Sequence, residues 1–229
     1  MSVTRIRTFQ HVPQRLRVDE DFSTDVWSYG YQNTYPQQIQ QILFASGVAS
    51  GAVELFSDFI FGEGFEDEEL AKTIVNEKGQ TANDILELYA NERAIFKGAS
   101  FHCNYNLMLE KTDVTIIPYQ YCRIARPETP HANMIAVYDN WANEAYDRNQ
   151  TIQDIDYIDL YTNDIDTIEQ QIDRAEGFKN WKGQVLYHSC EGFLKYPKCT
   201  FDPVINDVQT DALYSTYRKR SGQNNFNPY

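Results

Sequence analysis

One apolar run limits the folds that are open to this chain. Residues 42–61 form the most apolar stretch of the sequence, and Glu54 and Asp58 interrupt it. Charges inside a bilayer are costly, so this run does not predict a membrane span. Its apolar residues recur at roughly helical spacing, and Pro36 suits the first turn of a helix. The sequence therefore predicts one long helix over residues 36–61, buried as the organising element of the core.

Glycines mark both the face and the end of this predicted helix. Gly47 and Gly51 lie four residues apart on one face, where the missing side chain lets another backbone approach closely. Gly62 and Gly64 are expected to end the helix. We expect Gly51→Leu to disrupt folding or assembly, and Gly51→Ala to do less harm.

The remaining patterns predict a mixture of helices and strands. A second helix is predicted to begin at a cap, Thr81 or Asn83, and to end at Gly98. Alternating or short apolar segments predict strands at 101–109, 114–117, 121–124, 134–138, 154–161 and 184–188. A short polar helix is predicted at 165–177. A final helix is expected to open near Pro203 and to stop at Gly222 and Pro228. This order indicates an α+β fold with a central, mostly antiparallel β region.

Three segments are predicted along the chain. Residues 1–35 are polar, with basic and then acidic patches, and are expected to form an N-terminal arm that orders in part against a neighbour. Residues 36–200 are expected to form an α+β domain. Residues 201–229 are expected to form a C-terminal helix.

Acidic residues dominate the charge of the chain. There are 33 Asp and Glu against 20 Lys and Arg, which gives a formal net charge of −13. Such a surface repels phosphate backbones, which excludes a typical DNA-gripping domain. The acids concentrate in 139–176, whereas basic residues lie near both ends, including Arg218, Lys219 and Arg220. Sixteen tyrosines also favour half-buried surfaces that meet partners.

No constellation of residues predicts a metal site. Cys103, Cys122, His188 and Cys190 include zinc-ligand types, but their spacing matches no zinc motif. The acids of 154–166 do not form a calcium loop, because the sixth and twelfth positions are Asp159 and Ile165. The cysteines are expected to be free thiols, and the sequence predicts no metal-binding residues and no cofactor.

Catalytic and nucleotide-binding motifs are likewise incomplete. A nucleophile elbow around Ser189 would need a glycine where Tyr187 stands. Gly62-Glu63-Gly64 follows a predicted helix, whereas a phosphate-binding loop follows a strand. The cations at 218–220 suit the dipole at the end of a helix and need no ligand. The sequence therefore predicts no catalytic residues and a chain that is not an enzyme.

Several short motifs occur in an order that resembles a known family. Tyr35-Pro36 opens the first helix, which ends in Ile60-Phe61-Gly62-Glu63-Gly64-Phe65. The later motifs are Ile95-Phe96-Lys97-Gly98, Ile117-Pro118 through Arg123, Gly183-Gln184-Val185-Leu186-Tyr187, Tyr196-Pro197, Phe201-Asp202, Val204-Ile205, Asp207-Val208, Thr210-Asp211 and Asn224-Asn225-Phe226. Over residues 35–229 this order resembles the N-terminal, wing part of portal proteins of tailed phages that infect gut bacteria. No single motif is specific, and the resemblance rests on their order.

The resemblance implies a structural protein of the virion, assembled in the host cytoplasm, with no membrane partner. Portal subunits form a homo-oligomeric ring, usually twelve-fold, at one vertex of the viral capsid. The ring contacts the major capsid protein, the terminase and then neck or adaptor proteins. Double-stranded DNA passes through it without sequence specificity during genome packaging and genome ejection. Residues 36–200 would be the wing and residues 201–229 the start of the stem; family members are usually much longer, with stem, clip and crown elements beyond this part.

Three other functions are compatible with the same residues. The first is another virion assembly or head-completion protein. The second is an enzyme whose site has no recognisable motif, and the third is an acidic binding module such as a nucleic-acid mimic. The mass in solution separates the possibilities: a ring for a portal subunit, a smaller or partner-dependent species for another assembly protein, and a monomer or dimer with an active pocket for an enzyme.

Overall fold

The structure is a computed structural model that describes residues 25–141, 155–190 and 195–226. These residues form a mixed α/β fold with six α-helices and a six-stranded mixed sheet. The helices are α1 (Tyr35–Ala45), α2 (Gly47–Phe61), α3 (Glu68–Lys72), α4 (Ala82–Phe96), α5 (Ile165–Arg174) and α6 (Ile205–Phe226). The strands are β1 (Gly98–Tyr105), β2 (Lys111–Ile117), β3 (Cys122–Ile124), β4 (Met134–Val137), β5 (Asp156–Leu160) and β6 (Gln184–Ser189).

The sheet has the strand order β2-β1-β6-β5-β4-β3. Only β5 and β6 pair in parallel, with Leu160 opposite Val185, so the prediction of a mostly antiparallel region is confirmed. Parallel neighbours need a crossover connection, and α5 lies in the segment between these two strands. The predicted strand at 101–109 was too long, because Leu107 and Met108 lie exposed in the turn after β1.

The main core lies between the helices and one part of the sheet. Its centre, which we call the sealed core, consists of Tyr29, Tyr35, Tyr119, Arg123 and Tyr196. Tyr29 stacks on Tyr196 with ring centroids 4.3 Å apart, and both rings are buried. Leu43 of α1 and Phe96 of α4 pack into the same cluster, so burial of these large apolar groups joins helices and sheet.

The predicted helix over 36–61 is wrong in its length, since two helices occupy this segment. α1 and α2 meet at a bend of 106°. Ser46 lies at the bend in an extended conformation, and its Oγ accepts a hydrogen bond from the Ala49 backbone N–H at 3.2 Å. Its hydroxyl donates to Asp211 Oδ2 at 2.5 Å, which ties the bend to α6. No single described helix is long and apolar enough to cross a membrane, although the bent pair α1 and α2 would pass on length and composition together.

The expected burial of this segment is also wrong for most of α2. Ala49 and Val53 are buried, but Leu55 and Phe59 are 71% and 81% exposed. A Cβ atom added at Gly47 or at Gly51 would meet nothing within 4 Å. Within the described residues, no other backbone therefore lies against either glycine, which corrects the predicted internal packing.

Other helix ends agree with the sequence in part. Thr81 caps α4 in a capping box with Asp84, while Asn83 accepts a hydrogen bond from the Phe65 backbone N–H instead. Gly62, with a φ of 60°, follows the last residue of α2, as predicted. The predicted stop at Gly222 is wrong, because α6 continues through it to Phe226; Pro228 lies outside the described residues.

The end of the predicted arm belongs to the folded unit. Val26 and Tyr29 are each 1% exposed, and Tyr29 lies in the sealed core. Residues 1–24 lie outside the described residues, as do residues 142–154 of the acidic segment. The boundaries proposed for arm, domain and C-terminal helix stay predictions.

Candidate assembly surface

One side of α2 carries an apolar stripe that faces water. Val48, Ala52, Leu55 and Phe59 follow one another at helical spacing and are all exposed; we call this stripe the outer face. The opposite side of α2 packs into the core through Ala49 and Val53. A helix that is apolar on both sides is expected to be buried on both sides. The outer face is therefore a candidate contact surface.

The second half of α6 extends beyond the body of the protein. Ile205 and Val208 pack against the main core, and Asp211 accepts the hydrogen bond from Ser46. From Leu213 to Ser221 every side chain is exposed, and we call these residues the protruding tip. Helices of fewer than about 12–15 residues are marginal without packing. The tip is therefore expected to depend on a contact for full stability.

The tip presents a short apolar stripe followed by cations. Leu213, Tyr214 and Tyr217 are spaced so that they share one side of the helix, and each is about 70% exposed. Arg218, Lys219 and Arg220 come directly after them and are also exposed. Apolar anchors and a group of positive charges thus lie within two turns of helix.

An apolar groove lies between α4 and the sheet. It has a volume of about 400 Å³, and α4 supplies Ala82, Ile85, Leu86 and Tyr89 along one wall. The opposite wall includes Phe101 of β1 and Leu186 of β6. Phe65 and Val75 line the end next to the start of α4, because their backbone N–H groups donate to Asn83 Oδ1 and to the Gln80 carbonyl. Leu186 is 41% exposed, so the groove opens to solvent. Its size and lining are those of a site that accepts apolar groups.

Acidic residues flank the end of the groove that Phe65 lines. Glu66, Asp67, Glu68 and Glu69 follow Phe65 directly and are exposed. Lys72 pairs with Glu68 at 3.1 Å, and the Asp67 side chain caps the start of α3. At the other end Arg93 donates to the Tyr89 hydroxyl at 2.7 Å. The groove therefore has an acidic end and a basic end.

A second concavity, of about 370 Å³, lies beside β5 and α5. Asp159 is buried there, and it accepts a hydrogen bond from Trp181 Nε1 at 3.1 Å while Arg174 Nη1 lies at 3.5 Å. Burial raises the pKa of Asp159 above its usual value, and Arg174 and Trp181 oppose this rise. Lys182 pairs with Asp156 nearby. These contacts pair the charges of the concavity with one another and indicate a structural network.

Arg123, which the sequence placed in a family-like motif, is a core residue. Its guanidinium is fully buried and donates to the backbone oxygens of Asn33, Gln120 and Cys122, each at 2.8 Å. The cation also faces the rings of Tyr29 and Trp141, at 5.4 and 5.0 Å from their centroids. Desolvation lowers the pKa of Arg123. Its position explains how residues 25–35 are held against β3.

The structure separates the residues that were considered for zinc. His188 Nε2 and Cys190 Sγ lie 3.5 Å apart at the end of β6, whereas Cys103 and Cys122 are buried in β1 and β3. All four thiols are free, and no group of three or more metal-binding side chains occurs in the described residues. Burial raises the pKa of Cys122 to about 12, so its thiol stays protonated near neutral pH.

Comparison with known proteins adds no relative. No protein-family model matches the chain, and neither a curated protein nor a solved structure does.

Proposed function

We propose that the chain is a structural subunit of a portal-like ring at a phage capsid vertex, and that its folded part corresponds to the wing. The order of family-like motifs over residues 35–229 suggests this function. The observation that carries it is the outer face of α2 together with the protruding tip of α6. Both expose large apolar side chains that a single copy leaves in water.

The cost of this exposure favours association between copies. Covering a side chain such as Leu55 or Phe59 contributes about 1.5–3 kcal/mol. Monomeric proteins rarely leave large contiguous apolar patches in water, and such patches typically mark interaction sites. Two separate exposed apolar surfaces on one subunit suit a head-to-tail ring, in which each copy contacts two neighbours through different surfaces.

The charge of the chain is compatible with a DNA channel. A net charge of −13 repels phosphate groups, so DNA would slide past such a ring instead of adhering to it. An acidic chain of this kind would instead bind proteins. The proposed partners are the capsid protein, the terminase and the neck proteins of the phage.

The test is the mass and shape of the purified 229-residue chain. We expect native mass spectrometry to detect closed oligomers at micromolar concentration, and electron microscopy to show rings. Phe59→Glu should weaken assembly by at least about tenfold, because it replaces the most exposed aromatic ring of the outer face with a charge. The variant chain should still fold, since Phe59 is 81% exposed, and thermal melting checks this.

Leu107→Glu is the matched control. Leu107 is as exposed as Phe59, but it lies in the turn between β1 and β2, away from α2 and α6. This variant should assemble like the parent. A parent chain that remains monomeric throughout the micromolar range would refute the ring, and equal effects of the two variants would refute the role of α2.

A further inference from the structure

We propose that the protruding tip of α6 from one copy docks into the apolar groove beside α4 of the next copy. This inference rests on the proposed ring, and it assigns two specific surfaces to the contact between neighbours. The partner is thus a second copy of this chain, and the contact joins two different surfaces.

The lengths of the two surfaces agree. The groove follows α4 over the eight residues from Ala82 to Tyr89, which span about 10 Å at 1.5 Å per residue. The apolar stripe of the tip covers the five residues from Leu213 to Tyr217, which span about 6 Å. One helix that lays a few anchors at i and i+4 into an apolar groove is a common mode of recognition. The stripe therefore fits along the groove with its anchors inside.

The charges set the direction of the docked helix. Arg218, Lys219 and Arg220 follow the stripe, and Glu66, Asp67 and Glu69 flank the end of the groove near Phe65. Placing the cations at this end pairs opposite charges, and it also keeps them away from Arg93 at the other end. The reverse direction would place like charges together.

The geometry of one chain leaves both surfaces available to a neighbour. Within a copy, α6 packs mainly against α1 and α2. The tip carries its stripe away from this packing, since no side chain from Leu213 to Ser221 is buried. Because tip and groove are different surfaces of the same chain, each copy can give one contact and receive another, which continues until a ring closes.

Two complementary variants test the contact. Leu213→Asp disables the tip and keeps the groove, whereas Leu186→Arg disables the groove and keeps the tip. Both leucines are at least 41% exposed, so both variants should fold, which thermal melting checks. Each variant alone should lose assembly by at least about tenfold. Mixed together, they retain one intact tip and one intact groove, and they should form a 1:1 dimer that grows no further.

Two control variants separate this contact from general effects of charge. Ser215→Asp places the same charge on the side of α6 away from Leu213, and Leu107→Arg repeats the leucine change outside the groove. Both should assemble like the parent. If Leu213→Asp and Leu186→Arg also assemble like the parent, the docking is wrong and the ring stands.

The remaining outcomes are equally decisive. Variants that fail alone and also fail to pair in the mixture would exclude this particular pairing of tip and groove. A parent that stays monomeric would overturn the ring and the docking together. Native mass spectrometry of the parent, of each variant and of the mixture distinguishes all of these cases.

Discussion

The sealed core and the outer face of α2 both contain large apolar side chains, but only those of the sealed core are buried. Around Tyr29, aromatic rings stack on one another, and two of their hydroxyl groups bond inside the chain: Tyr35 donates to Asp202 at 2.9 Å and Tyr196 donates to the Trp27 carbonyl at 2.6 Å. On α2, only about 20 residues further along the chain, Leu55 and Phe59 point into water.

The difference lies in the polar atoms that accompany the apolar groups. In the sealed core, Arg123 satisfies three backbone oxygens, and the Tyr196 hydroxyl accepts the Ile124 backbone N–H at 2.8 Å. These bonds fix one arrangement, because a buried polar group without a partner is costly. The outer face has no such polar framework and offers only apolar area. We infer that the first region specifies the fold of one copy and that the second is kept for association.

Removing Arg123 should break the sealed core and give the largest effect. Arg123→Met leaves the backbone oxygens of Asn33, Gln120 and Cys122 without their donor, and each buried orphan costs about 1–3 kcal/mol. We expect the free energy of unfolding to fall by about 3 kcal/mol in urea titrations.

The measurement is best made in the Leu213→Asp background, so that association does not add to the apparent stability. Arg218→Met is the control, because Arg218 is exposed and its loss should change stability by less than about 0.5 kcal/mol. Equal denaturation midpoints for the two arginine variants would show that the buried network is not what holds residues 25–35.

A smaller and pH-dependent effect is expected at Glu92, which lies on α4 against the sealed core. Burial raises the pKa of Glu92 from 4.5 to about 7, although a hydrogen bond from the Tyr119 backbone N–H to its carboxylate opposes the rise. A raised folded-state pKa favours the protonated form. Its contribution to stability is therefore complete below about pH 4.5 and is lost as the pH rises through 7.

Glu92→Gln keeps an acceptor for Tyr119 and removes the titration. Relative to the parent, the variant should gain stability between pH 5 and pH 8, by on the order of 1–3 kcal/mol. Urea titrations at four pH values would measure this gain, with Glu87→Gln at an exposed position of the same helix as control. Parallel pH profiles for Glu92→Gln and the parent would mean that this carboxyl group is solvated in the folded state.

The sequence predicted the elements of the fold better than their packing. The capping box of Thr81, the end of α2 at Gly62 and most of the strands could be read from local patterns, because short-range chemistry decides them. The bend at Ser46 could not, since apolar spacing continues across it and the hydrogen bond to Asp211 comes from 165 residues away. The local signal was Ser46 itself, a residue type favoured at the N-cap of a helix, which directly precedes Gly47 and Val48 inside the apolar run.

The candidate surface was even less predictable. Periodicity identifies an apolar face, but it does not tell whether the partner is the same chain or another one. Leu55 and Phe59 belong to the segment that was expected to be buried, yet both are exposed. The groove depends on Phe65, Phe101 and Leu186, which are far apart in sequence and meet only through the sheet and the loop before α3.

Substitutions of Gly51 test the outer face separately from the sealed core. They are expected to have the smallest effect on the stability of the fold. It lies on the exposed side of α2 between Val48 and Leu55, and a Cβ atom there would meet nothing within 4 Å. Gly51→Ala should therefore stabilise the isolated chain by about 0.5–1 kcal/mol through helix propensity. Gly51→Leu should melt at or slightly above the temperature of the parent for the same reason, contrary to what burial of this helix would require.

Assembly should be weakened by both variants, whereas the stability of the isolated chain should be unchanged or raised. A glycine and an alanine, Gly51 and Ala52, allow a neighbouring copy to approach α2 closely, and a leucine at position 51 would hold it away. We expect Gly51→Leu to weaken oligomer formation and Gly51→Ala to do so less, as measured by native mass spectrometry beside thermal melting. Gly47→Leu, one turn earlier and equally open, tests how far the contact extends towards the bend.

If Gly51→Leu lowers the melting temperature of the monomer, α2 packs inside the chain after all, and the contrast between the sealed core and the outer face fails. If it changes neither melting nor assembly, the neighbour does not approach α2 at this turn.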